Sequence, residues 1–152
     1  MIVIGSVKKM IAVDTNILVY AHRNNSDFNE PARAALSELA EGTRPWAIPW
    51  PCVHEFLAIV THVRMNAKPS ALKDALNQIR IWRESPSLVM LSTTIQHFEI
   101  LSAVCSKAKV MGGMIHDARI AAICLENGVS ELWTADRDFS RFSGLKTKNP
   151  LV

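Results

Sequence analysis

Apolar residues along the chain fall into two kinds of run, and the two kinds alternate. Short continuous runs bounded by polar or proline residues predict buried strands. These are Met10 to Val13, Trp46 to Pro49, Ser87 to Ser92, Glu131 to Thr134 and, at an edge, the brief Leu145 to Lys148. Between them, apolar residues recur at the spacing of one helical face. The spacing predicts a short helix from Ile17 to Arg23 and a second opened by Pro31 and closed by Gly42, with Ala32, Ala35, Leu36, Leu39 and Ala40 inward. A third helix spans about Pro51 to Arg64 with a stripe of Val53, Phe56, Leu57, Val60 and Val63. A fourth begins at Pro69-Ser70, carries Leu72, Ala75, Leu76, Ile79 and Trp82, and stops at Ser85-Pro86. A fifth, from Thr94 to about Ala108, turns Phe98, Leu101 and Cys105 inward. After a break at Gly112-Gly113, a sixth runs through Ala118, Ala121, Ala122 and Leu125 to Asn127-Gly128.

Strands alternating with helices require crossover connections and therefore a parallel sheet. The expectation is an α/β fold: one domain over residues 10–152, with a mainly parallel central sheet of four to five strands flanked by helices. Residues 1–9 form an extension ahead of the first strand, and nothing functional is assigned to them. The chain has 152 residues, 49% hydrophobic and 20% charged, which is enough for one substantial core and argues against disorder.

The acids draw attention because of where they stand on this pattern. The first apolar strand runs straight into Asp14-Thr15-Asn16, and an ionised carboxylate just past a core strand is costly to bury without a partner. Asp14 is thus placed at a strand's carboxyl end, facing a crevice, although Asp and Asn also cap helices routinely. Glu55 is placed in the first turn of the third helix after a strand, roughly 140° from the centre of its apolar stripe, so it avoids the core; a solvated surface Glu is the bland alternative. Asp117 sits in the first turn of the sixth helix, where the macrodipole favours a carboxylate for purely structural reasons. The fourth strand repeats the opening logic, ending in Thr134-Ala135-Asp136-Arg137-Asp138. In a parallel sheet, all these acids share one edge.

Carboxylates gathered at one edge repel, so they must take up protons or bind a hard cation. Oxygen-only donors suit Mg²⁺ or Mn²⁺. His54-Glu55 does not make a zinc protease motif, since that needs a second His at position 58, which is Ala. A carboxylate-held metal activates water and neutralises phosphodiester charge, so hydrolysis of nucleic acid is the natural use. Asn16 and Thr134 are candidates to orient a water or an acid, and Arg137, Arg141, Lys146 and Lys148 to hold a phosphate backbone.

Charge and cysteine content add little. Seventeen Lys and Arg against fourteen Asp and Glu give +3, which permits nucleic-acid contact without arguing for it. Three cysteines with no CxxC pair suggest neither a disulfide framework nor a thiolate zinc site, and they fit a reducing cytoplasm. No run approaches the roughly 18 uncharged apolar residues of a membrane span, so no membrane association is expected.

Taken together, the run from Ile11 to Tyr20, Glu55-Phe56, His116-Asp117-Ala118 and Thr134 to Phe139 resemble the PIN-domain ribonucleases, specifically the VapC-type toxins of toxin–antitoxin pairs. The resemblance covers nearly all of residues 10–151. It implies a sheet flanked by helices, a Mg²⁺- or Mn²⁺-dependent endoribonuclease acting on RNA, homodimers, and a VapB-type antitoxin that occupies the groove. Asp14, Glu55, Asp117 and Asp136 match the family's four acids, Asp138 is a further metal-site candidate, and Asn16 and Thr134 match its polar supports. Two other readings compete. A non-catalytic domain of the same fold would only bind RNA or protein. An aspartyl-phosphate phosphatase would need a second Asp where the chain has Asn16.

Overall fold

The structure, a computed structural model, describes residues 9–65 and 68–152. Residues 1–8, most of the expected extension, lie outside the described residues. The strands are β1 (Met10–Val13), β2 (Trp46–Pro49), β3 (Leu88–Leu91), β4 (Val129–Trp133) and β5 (Lys146–Lys148). The helices are α1 (Thr15–His22), α2 (Asn29–Glu41), α3 (Trp50–Val60), α4 (Leu72–Arg83), α5 (His97–Ala108) and α6 (Met114–Glu126), and a 3₁₀ turn covers Arg137–Arg141.

All five strands are parallel, in the order β3-β2-β1-β4-β5. The chain moves outward from β1 through β2 to β3, then returns to β1's other side for β4 and β5. The direction of winding therefore reverses between β1 and β4, and a crevice opens at their carboxyl ends. Right-handed crossovers place α1 to α4 on one face and α5 with α6 on the other. In keeping with this, α1 packs on α2 and α3, α3 on α4, and α5 on α6.

The core follows from the strand pattern. Ile11, Ala12, Val13, Trp46, Ala47, Ile48 and Leu132 are buried because helices cover both faces of the central strands. Phe56 from α3 and Ile120 and Ile123 from α6 complete the two layers. At the outer edge, β5 exposes Lys146 and Lys148, and lysines on an edge strand discourage pairing with another chain. Among the described residues, no helix is long and apolar enough to cross a membrane.

Three apolar residues expected in the core are outside it. Val63 is 75% exposed because α3 ends at Val60 and leaves it in the following turn. Leu72 is exposed at the very start of α4. Phe98 is 73% exposed although it belongs to α5. The residues of α5 that pack against the core are Leu101, Val104, Cys105 and Ala108, and that stripe is centred roughly 70° around the helix from Phe98.

Candidate active site

Asp14 ends β1 and caps α1 at once. Its Oδ1 accepts the Thr15 backbone N–H at 2.8 Å, so the capping role is real. Its Oδ2 accepts the Thr134 hydroxyl at 2.8 Å from the neighbouring strand end, which no cap requires. The Cys52 thiol also faces Oδ1, at 3.7 Å. Asp14 is only 4% exposed. Burial raises its pKa to about 6 against the Thr134 and Thr15 hydrogen bonds, and the charges of Glu55 and Asp117 push the same way as burial.

Thr134 joins the two strand ends. Besides donating to Asp14, its Oγ1 accepts the Asp136 N–H at 3.0 Å and lies 3.3 Å from Asn16 Nδ2. The Asn16 carbonyl oxygen accepts the Ala135 N–H at 3.1 Å, while its amide nitrogen also reaches Asp14 Oδ2 at 3.4 Å. Both predicted supports thus fix where Asp14 and Asp136 stand.

Glu55 stands in the second turn of α3 and not in the first, because the helix already begins at Trp50. It is half-buried beside the same edge, with the Thr15 hydroxyl donating to its Oε2 at 2.7 Å. Arg119 Nη2 approaches its Oε1 at 4.0 Å. Asp117 is set by the chain reversal between α5 and α6, which runs through Lys109 and Gly112 at positive φ (54° and 61°) before α6 begins. Asp136 accepts the Asp138 N–H at 2.9 Å and so starts the 3₁₀ turn. Asp117, Asp136 and Asp138 each offer a carboxylate oxygen within 4.8 Å of the others. Burial raises the Asp117 pKa, reinforced by Asp136, Glu55 and Asp138 and opposed by Arg141. The five acids therefore act on one another as a single set, with Asp117, Asp136 and Asp138 closest together and Asp14 recessed.

This donor set fits a hard divalent cation. It is built of oxygens, it is destabilised by its own charge, and among the described residues the cations within 4.0 Å of it are Arg119 beside Glu55 and Arg141 beside Asp138. Cys52 and Cys124 are buried and their pKa values are raised by desolvation, so they stay as neutral thiols.

The four predicted basic residues divide. Arg137 is exposed at the start of the 3₁₀ turn. Arg141 is spent on local contacts, with Nε donating to the Asp138 carbonyl at 3.1 Å and Nη1 3.1 Å from the Met114 sulfur. Lys146 pairs with Glu131 at 4.0 Å and Lys148 lies over the Trp133 ring at 5.4 Å. Both lysines therefore lie beside β4 side chains. Three residues near the acids escaped the sequence reading: Thr15, Cys52 and Arg119. Cys52 had a weak signal, standing one helical turn before Glu55, and Thr15 could be read only as part of a cap.

Comparison with known proteins identifies the family. The PIN domain family model matches residues 11–145. Ribonuclease VapC43 of Mycobacterium tuberculosis is 32% identical over 142 residues, covering 93% of this chain and 96% of that protein. Ribonuclease VapC37 of the same organism is 28% identical over 141 residues, covering 93% and 97%. Among solved structures, VapBC2 from Rickettsia felis, bound to a DNA fragment from its promoter, superposes with a TM-score of 0.68 at 18% identity, covering 92% of this chain and 98% of that one. Mycobacterium tuberculosis VapC20, described as a sarcin-ricin loop cleaving toxin, gives 0.64 at 16% identity, covering 89% and 95%. On the family-model match and the 32% identity over nearly the whole chain, this protein belongs to the PIN-domain family, among the VapC ribonucleases.

Proposed function

We propose that this chain is a divalent-metal-dependent endoribonuclease, the toxin of a VapBC-type pair. The observation that carries the proposal is the meeting of Asp14, Glu55, Asp117, Asp136 and Asp138 at the crevice between β1 and β4. In this reading Asp14, Asp117, Asp136 and Glu55 hold Mg²⁺ or Mn²⁺, with Asp138 supporting. When bound, the ion supplies an activated water and neutralises charge on the phosphodiester. Thr134 and Asn16 keep Asp14 and Asp136 in register, so little reorganisation is needed during reaction. Glu55, with Oε2 held by Thr15, has Oε1 left to take a ligand or a proton. Asn16, where a phosphatase would need its second acid, is occupied with Thr134 and Ala135.

A VapB-type antitoxin is the partner this reading supplies, supported by relatives solved as VapBC assemblies. A homodimer, a cytoplasmic location and RNA contact by the exposed Arg137 belong to the same reading. The antitoxin-free protein should cut RNA with Mg²⁺ or Mn²⁺ and stop in EDTA, and should leave matched DNA largely intact. Cleavage persisting in chelator would sink the metal mechanism. Tight RNA binding without cleavage under any divalent ion would favour the non-catalytic alternative.

A further inference from the structure

Arg119 stands in a stretch of α6 otherwise given to the core, between buried Ala118 and Ile120. It follows Asp117 by two residues and reaches the acid edge at Glu55. Its guanidinium is poorly employed there. Nε is buried and has no hydrogen-bond partner, and Nη2 stays 4.0 Å from Glu55 Oε1, beyond hydrogen-bonding distance. Glu55 meanwhile takes a short 2.7 Å hydrogen bond from Thr15 on its other oxygen, so it does not depend on Arg119 for its position. Arg141, the other guanidinium beside the acids, is the opposite case, since two of its nitrogens are occupied by Asp138 and Met114. The side chain of Arg119 is 40% exposed, so it can turn outward without leaving the core open.

We propose that Arg119 is a substrate-contacting residue that takes the non-bridging oxygens of the RNA phosphodiester, and that its approach to Glu55 is its resting pose. The inference rests on the ribonuclease reading above. A polyanion entering an edge lined by five acids needs a cation to meet it, and a planar guanidinium fork matches two oxygens of one phosphate. Once Glu55 commits its charge to a metal ion, little holds Arg119 at Oε1. Turning outward then gives the orphaned Nε a partner. Such a contact positions the backbone without reading sequence, so its loss should weaken RNAs of different sequence alike.

The test uses Arg119→Gln and Arg119→Lys in Ca²⁺-loaded full-length protein. Short single-stranded RNA oligonucleotides of several sequences are titrated over a range of KCl concentrations. Arg119→Gln is expected to weaken RNA binding roughly ten-fold at low salt and to flatten the log–log salt slope by about 0.7. In turnover with Mn²⁺ it should also raise KM more than it lowers kcat. Arg119→Lys should restore the slope but only part of the affinity, because charge returns without the fork. Mn²⁺ affinity without RNA should be unchanged or tighter, since Glu55 loses a competing cation. Wild-type RNA affinity and salt slope in Arg119→Gln would overturn the proposal. So would weakened Mn²⁺ binding with the slope intact, which would make Arg119 a support for Glu55. Wild-type protein that fails to bind or cut RNA is a different result and overturns the ribonuclease reading itself.

Discussion

Asp14 carries two opposed demands on one carboxylate. It must stay close to the core to cap α1 and meet Thr134, yet burial disfavours its charge. An acid whose folded pKa lies above its unfolded value binds extra protons when folded. Its stabilising share is therefore complete below about pH 4 and lost as pH rises through about 6. Metal-free protein should lose stability over that window, with Asp14 accounting for about 3 kcal/mol at most, and Asp117 shifted in the same direction. Asp14→Asn keeps shape and a capping oxygen. It should cut RNA cleavage by at least roughly two orders of magnitude while leaving metal-free stability at neutral pH equal or higher, with a flatter pH profile. Melts across pH 4–8 decide this, and strong destabilisation of the variant would reduce Asp14 to a structural cap. Asp136 and Asp138 should also differ. Asp136 is tied to Thr134 through its own N–H, whereas the Asp138 side chain is 63% exposed and near Arg141. Asp136→Asn should therefore lose more Mn²⁺ affinity and more cleavage than Asp138→Asn, and the reverse order would exchange their roles.

At the scale of elements, α5 is the helix least committed to the core. None of its residues is fully buried, and it has no side-chain N-cap. It is held instead by Glu126 from the end of α6, whose fully buried side chain accepts the Thr94 N–H at 2.6 Å and meets His97 Nδ1 at 2.6 Å. Glu126→Ala strands those donors and should cost about 1–3 kcal/mol, at roughly 2–4 °C of Tm per kcal/mol for a chain of this size. Mn²⁺ affinity should be untouched, because Glu126 takes no part in the acid edge. Amide exchange should be faster in α5 than in β1 or α6, and more so in the variant. Equal protection in α5 and β1 would contradict this account of how α5 is anchored.

For the whole molecule, the parallel sheet is both scaffold and instrument, because it brings every strand's carboxyl end to one side. A divalent ion that relieves repulsion among the acids binds only the folded form, so saturating Mn²⁺ or Mg²⁺ should raise Tm by several degrees, and EDTA should reverse the rise. An unchanged Tm at millimolar metal would argue against a metal centre. Much of this architecture was legible in the residues. The periods of apolar residues marked all five strands and six helices, and the alternation of the two element types implied parallel pairing. Asp14, Asp117 and Asp136 stood out because each follows a strand or opens a helix, and Glu55 because it lies off the apolar stripe of its helix. These are local properties, carried by neighbours in the chain. Tertiary structure alone decided the rest. Val63 and Phe98 look like core residues by spacing, but helix ends and the neighbour a helix packs against determine burial. The sequence shows the charge of Lys146 and Lys148, but only strand register sets them beside Glu131 and Trp133. Thr15, Cys52 and Arg119 reach the acids from three different helices, contacts between residues as much as 64 positions apart in the case of Glu55 and Arg119. Distances of that kind depend on how whole elements pack, and no window along the chain contains them.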